Sequence, residues 1–242
     1  PVLFDALEFD PGLATVDVLY DLAFLLMDLE HRGLHAAANR LFGHYLALTV
    51  APENDALALK GLAALPLFLS SRAAIRAHTE AAAADEQPNP RAAAARRTDA
   101  RRYLRLAVKF LAPPPPALIA IGGLSGTGKT TLARALAPAL GAAPGAAVLR
   151  SDVMRKRLAG RNLLDRLPES AYGPEMTRRV YGAIARSADR ALAAGHAAVA
   201  DAVFARPEER RAIERVAARR KVPFVGLWLE APPPALVRRL IT

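Results

Sequence analysis

Cysteine is absent from the 242 residues, which excludes a disulfide framework and any thiolate-held metal. Histidine is scarce, with five copies. His31 and His35 stand four apart, but Gly33 lies between them and no acidic partner follows in register, so no metal pair is expected there. No apolar run approaches the roughly 20 residues that cross a bilayer, and no signal-peptide pattern opens the chain. A cytoplasmic protein with no membrane partner is therefore expected. Aromatic residues make up only 6% of the chain. In the basic stretch 91–111 they are Tyr103 and Phe110 alone, too few to stack a row of bases, which argues against a nucleic-acid partner. The chain starts at Pro1 without an initiator methionine and stops at Thr242 inside the helix-like "PALVRRLIT", so it reads as a fragment at both ends.

Charge is present in excess and unevenly spread. The formal net charge of +10 divides into −7 for residues 1–90, +6 for 91–111 and +11 for 112–242. A basic carboxy-terminal half suits a binder of nucleotides or phosphorylated substrates, and equally a nucleic-acid-binding regulatory module that senses a nucleotide. Salt separates these two readings, because backbone binding weakens steeply as salt rises and a small-molecule pocket does not. Ala112 to Pro116, with four consecutive prolines, cannot continue a helix and reads as a stiff spacer between two units. The expected division is thus a helical lobe over 1–111, a linker over 112–116 and a second domain over 117–242.

In the first unit Val16, Leu19, Ala23 and Leu26 form one apolar helical stripe, and helical patterning continues to about residue 84. The low-complexity stretch 80–100, with Pro88 and Pro90, predicts a mobile loop leading into a basic helix from about Ala92 to Leu111. After the linker, apolar strands alternate with helical segments: "ALIAI", "AAVLRSD", "AAVAD" and "PFVGLWL" each precede a helix. That alternation predicts an α/β fold, a parallel sheet with flanking helices of the P-loop NTPase type, preceded by a mainly helical subdomain.

The junction of the first such strand and helix carries the chemistry. Gly123-Leu124-Ser125-Gly126-Thr127-Gly128-Lys129-Thr130 matches G-x-x-x-x-G-K-[ST], followed by Thr131. In this pattern backbone amides wrap the phosphates of a nucleotide, the lysine adds a cation and the hydroxyl of Thr130 ligates Mg²⁺. ATP and Mg²⁺ are the expected ligands. Two acids stand at neighbouring strand ends, Asp152 after the second strand and Asp201 at the end of the third, and strand ends of a parallel sheet deliver residues to one crevice. Asp201 takes the place of a metal-side acid. Asp152 and Arg155, a helical turn apart, are placed to deprotonate and fix the acceptor of a phosphoryl group, giving Lys129, Asp152 and Arg155 as the candidate catalytic set. Read blandly, Asp152 is a helix cap and Asp201 a strand-end turn residue.

Residues 117–242 resemble P-loop kinases of the gluconate kinase, polynucleotide kinase and zeta-toxin group through "GGLSGTGKTTLA", "LRSDVMRKRLAG", "AVADAVFARPEERR" and "PFVGLWLEAP". The resemblance implies transfer of the γ-phosphate of ATP to a hydroxyl of a small-molecule acceptor. It puts Asp152 and Arg155 at acceptor-binding positions, Asp201 at the metal-side acid, and an arginine-bearing lid after the fourth strand, for which Arg238 and Arg239 are the candidates here. "PVLFDALEFDPGLATVDVLYDLAFLLMDLEHRG" is similar to the C-terminal lobe of aminoglycoside phosphotransferase-like kinases. By that likeness Asp5 falls on a metal-binding position and Asp21 on one that braces the catalytic loop; read without it, Asp5, Glu8 and Asp10 are a solvated acidic turn. Together the halves resemble fused proteins of the bifunctional aminoglycoside phosphotransferase/ATP-binding type. The sequence names neither acceptor nor oligomeric state.

Overall fold

The computed structural model describes residues 17–49 and 59–232. Asp5, Glu8, Asp10, Val16, Arg238, Arg239 and the expected last helix lie outside the described residues. The helical region contributes α1 (Val18–His31), α2 (His35–Thr49), α3 (Leu65–Asp85) and α4 (Pro90–Phe110). The α/β region follows as β1 (Leu118–Gly123), α5 (Lys129–Leu136), β2 (Ala147–Arg150), α6 (Ser151–Leu158), α7 (Pro174–Ala193), β3 (Ala198–Asp201), α8 (Pro207–Arg220) and β4 (Phe224–Leu229). The expected stripe on α1 is the buried one: Leu19, Ala23 and Leu26 are in the core together with Met27.

The expected loop over 80–100 is instead the hinge of a helical hairpin. The alanine-rich run 81–84 keeps α3 going to Asp85, as the high helix propensity of alanine favours. Only residues 86–89 turn. Asn89 then starts α4, its side chain accepting hydrogen bonds from the backbone N–H groups of Arg91 and Ala92, with Pro90 in the first helical position where its missing N–H is harmless. Several arginines of α4 face acids: Arg96 pairs with Glu80 at 2.8 Å, Arg97 with Asp85 at 3.0 Å and Arg102 with Asp99 at 3.9 Å.

The four described strands form one parallel sheet in the order β2-β3-β1-β4. The register sets Arg150 beside Asp201 and Asp201 beside Ile121, so β2 and β3 end level while β1 runs two residues further, to Gly123. One face of the sheet packs on α5 through Ile119, Ile121, Ala133 and Val199. The opposite face belongs to a larger core that includes Ile184 and Ala188 of α7, Ile213 of α8, and also Leu26, Phe42 and Leu69 of the helical region. The core is therefore continuous across the Pro113–Pro116 segment. Three hydrogen bonds cross the same junction: Asn39 to the carbonyl of Ala146 at 3.1 Å, Arg157 to that of Leu46 at 2.7 Å, and His196 Nε2 to that of Leu62 at 3.1 Å. On β4, at the edge of the four described strands, Trp228, the only tryptophan, pairs in register with Gly122. A Cβ on Gly122 would come within 2.7 Å of its ring.

Candidate functional site

The loop after β1 owes its shape to glycine. Gly123 has φ +134 and packs against the backbone carbonyl of Leu229 so closely that no side chain fits. Gly128, with φ +93, begins α5 in a left-handed conformation that an L side chain rarely adopts. No side chain caps this helix, and its first turn closes with Leu132 N–H to the Gly128 carbonyl at 3.0 Å. The amides of Lys129, Thr130 and Thr131 thus have no partner within the helix, the condition under which a helix start receives an anion.

Lys129 folds back onto the loop and donates to the Leu124 carbonyl at 2.7 Å, which also accepts from Thr127 Oγ1 at 2.8 Å. Burial pushes the Lys129 ammonium below its ordinary pKa, while the charge of Asp201 works in the other direction. One residue on, the Thr130 hydroxyl donates to Asp201 Oδ2 at 2.6 Å, and Asp201 is buried. Two hard oxygen donors of this kind, side by side at the end of a phosphate loop, fit a Mg²⁺ ion. A cleft of about 870 Å³ opens above them, lined by residues 125–131 on one side and by Arg150, Ser151, Asp152, Asp201 and Val203 on the other.

Strand ends at one edge of a parallel sheet, a glycine loop entering α5 and an acid on the neighbouring strand together make a nucleotide-type site, and the family model for the AAA domain, AAA_33, matches residues 118–242. The chain belongs to the AAA domain family. It is also 32% identical over 222 residues to the uncharacterized proteins Mb2027c of Mycobacterium bovis and MT2060 and Rv2004c of Mycobacterium tuberculosis. That alignment takes in 90% of this chain and 41% of each relative. The chain therefore spans about two fifths of the length of these relatives, and the likeness extends beyond the AAA domain into the helical region.

Within the AAA domain the cleft unites Ser125, Gly126, Thr127, Gly128, Lys129, Thr130 and Thr131 with Asp152 and Asp201. Gly123 and Leu124 shape the loop from below. Asp152 lies in the first turn of α6, whose N-cap is Arg150, so it does not cap the helix; its carboxylate is half exposed and 3.5 Å from Lys156 Nζ. Arg155 departs from the expected acceptor role. It is buried, donates to the Ala171 carbonyl at 2.8 Å and lies over the Tyr172 ring at 4.9 Å, outside the cleft lining. The 3₁₀ turn Glu169–Tyr172 supplies these partners, and a pattern of spacing along α6 does not disclose a turn that arrives from later in the chain. Asp21, singled out as a brace, lies exposed on α1, 3.7 Å from Arg72.

Five cleft residues lie outside the set expected from sequence: Leu132, Ala135, Arg150, Ser151 and Val203. The signal for Arg150 is present in the sequence, since it stands in "AAVLRSD" two residues before Asp152. Val203 follows Asp201 by two residues. Its carbonyl accepts from Gly123 N–H at 3.1 Å, tying the loop after β3 to the end of β1.

Proposed function

We propose that the AAA domain is an ATP-dependent phosphotransferase acting on a hydroxyl of a small-molecule acceptor. The observation that carries this reading is the Thr130–Asp201 contact at 2.6 Å beneath the Gly123–Thr130 loop, with a second carboxylate, Asp152, across the same cleft. In the proposed reaction the loop amides and Lys129 hold the triphosphate tail. Asp152 receives the proton of the acceptor hydroxyl as its oxygen bonds to the γ-phosphorus, and the bond to the β–γ bridging oxygen breaks to release ADP. Thr130 and Asp201 are the residues that would hold Mg²⁺, which when bound supplies positive charge to the phosphate oxygens. Arg155 serves this reading by bracing α6 against the turn at Ala171 rather than by touching the acceptor.

The reading belongs to the AAA domain alone. The resemblance of residues 1–33 to the end of an aminoglycoside phosphotransferase-like lobe rests on those residues' sequence, outside the 118–242 match, and assigns no antibiotic to this cleft.

The test is ADP release from Mg·ATP by the full chain against a panel of sugars, nucleosides and antibiotics, with an Asp152→Asn variant in parallel. Acceptor-dependent release that the variant loses, with ATP affinity kept, is the expected result. Release that survives Asp152→Asn removes Asp152 as the base, and release that is independent of every acceptor makes the domain a hydrolase.

A further inference from the structure

The cleft carries a cation on each side, and the proposed reaction employs only Lys129. Arg150 ends β2, lines the cleft and has a side chain 29% exposed. Its Nε is shielded from solvent and makes no hydrogen bond. The nearest charge is Asp201 Oδ2, 3.8 Å away and beyond hydrogen-bond reach, and that oxygen already accepts from Thr130. Among the described residues the Asp201 carboxylate is its only charged partner, in a long ion pair. A buried Nε–H donor without a hydrogen bond is costly to keep in a folded protein unless a ligand matches it.

Place decides which ligand. At the main chain Arg150 stands beside Asp201, and Asp201 beside Ile121, so two strand spacings, about 10 Å in all, separate Arg150 from the strand that feeds the phosphate loop; its side chain reaches back to Asp201, with Nε 3.8 Å from Oδ2. Arg150 belongs to the flank of the cleft where Asp152 stands, two residues further along the chain. We propose that Arg150 forms an anion subsite on the β2 side of the cleft and selects acceptors that carry a carboxylate or phosphate group near the reacting hydroxyl. The flat fork of arginine matches two oxygens of either group at once. The inference rests on the phosphotransferase reading, which it makes more specific.

The test titrates inorganic phosphate, and separately acetate, into the full chain saturated with Mg²⁺ and the non-hydrolysable ATP analogue AMP-PNP, followed by calorimetry. At least one of the two anions is expected to bind. Arg150→Gln should weaken that binding about tenfold or more, and Arg150→Lys, which keeps the charge but not the fork, should lose less. AMP-PNP affinity should stay within about threefold in both variants, which also reports that they are folded. The relative response to phosphate and acetate tells which oxyanion the subsite prefers. A nucleotide-saturated wild type that binds neither anion, or a glutamine variant that binds as well as wild type, overturns the inference and leaves the phosphotransferase reading standing. A wild type that does not bind AMP-PNP overturns both.

Discussion

Lys129 is the residue on which the nucleotide reading makes its sharpest demand. Its ammonium, poised on the Leu124 carbonyl at 2.7 Å, must exchange that partner for phosphate oxygens. Lys129→Ala should therefore cost about 1.5–3 kcal/mol of ATP binding, a loss of roughly ten- to a hundredfold in affinity measurable by calorimetry; unchanged affinity removes the site. Asp201→Asn should retain ATP binding in the absence of metal and lose the tightening that Mg²⁺ brings, since one of two oxygen donors to the ion becomes an amide. Titrating Mg²⁺ at fixed ATP checks this. Lys129, Thr130 and Asp201 were legible in sequence because each follows directly from a fixed loop or strand end. Arg155 was not, because its partners Ala171 and Tyr172 come from a turn whose approach no local pattern encodes.

At the scale of elements, the parallel strands and their helices were readable from alternation of apolar runs with helical periodicity. The start of α4 was misplaced by only two residues, while the loop before it was overestimated. Two prolines within three residues look like disorder in a string of letters, yet Asn89 and Pro90 are a helix start and the alanines before them continue α3. Gly123 offers a test of the loop as an element. With φ +134 and the Leu229 carbonyl occupying the place a Cβ would take, Gly123→Ala combines backbone strain of about 1–3 kcal/mol with a steric conflict across β1 and β4. A fall in the thermal midpoint together with weakened ATP binding is expected, and a variant as stable as the parent shows that the loop geometry is not required.

Across the whole molecule, the linker reads as a boundary and the packing does not. Phe42 and Leu26 share one core with the sheet, and His196 spans the junction with Nε2 on the Leu62 carbonyl, Nδ1 unpartnered and its ring 6.0 Å from that of Phe42. A protease cut within 112–116 should thus leave two fragments that co-elute on gel filtration; fragments that separate show that the junction contributes little. No periodicity in either half announces this contact, since it depends on surfaces that meet only after both have folded.

Burial pushes the pKa of His196 down to about 4, against the opposing pull of the Leu62 carbonyl. The unfolded chain therefore binds a proton at this position that the folded one refuses between about pH 6.5 and 4, and stability should fall across that window as pH drops, by on the order of 3 kcal/mol. Denaturant midpoints measured from pH 7 to pH 4 should show this slope, and His196→Gln should flatten it. Asp189 acts in a lower window. Its bonds to Arg220 and Arg219 hold its carboxyl at about 2, so its contribution persists above the ordinary aspartate range and is lost only as pH falls from about 4 towards 2.

One indole serves the entire chain, and it rests on Gly122, a single residue ahead of the phosphate loop. Light emitted by tryptophan consequently comes from one known place, Trp228, half open to water. Its emission offers a label-free reporter beside the loop, so that stopped-flow mixing with nucleotide can time binding without a dye or an added mutation.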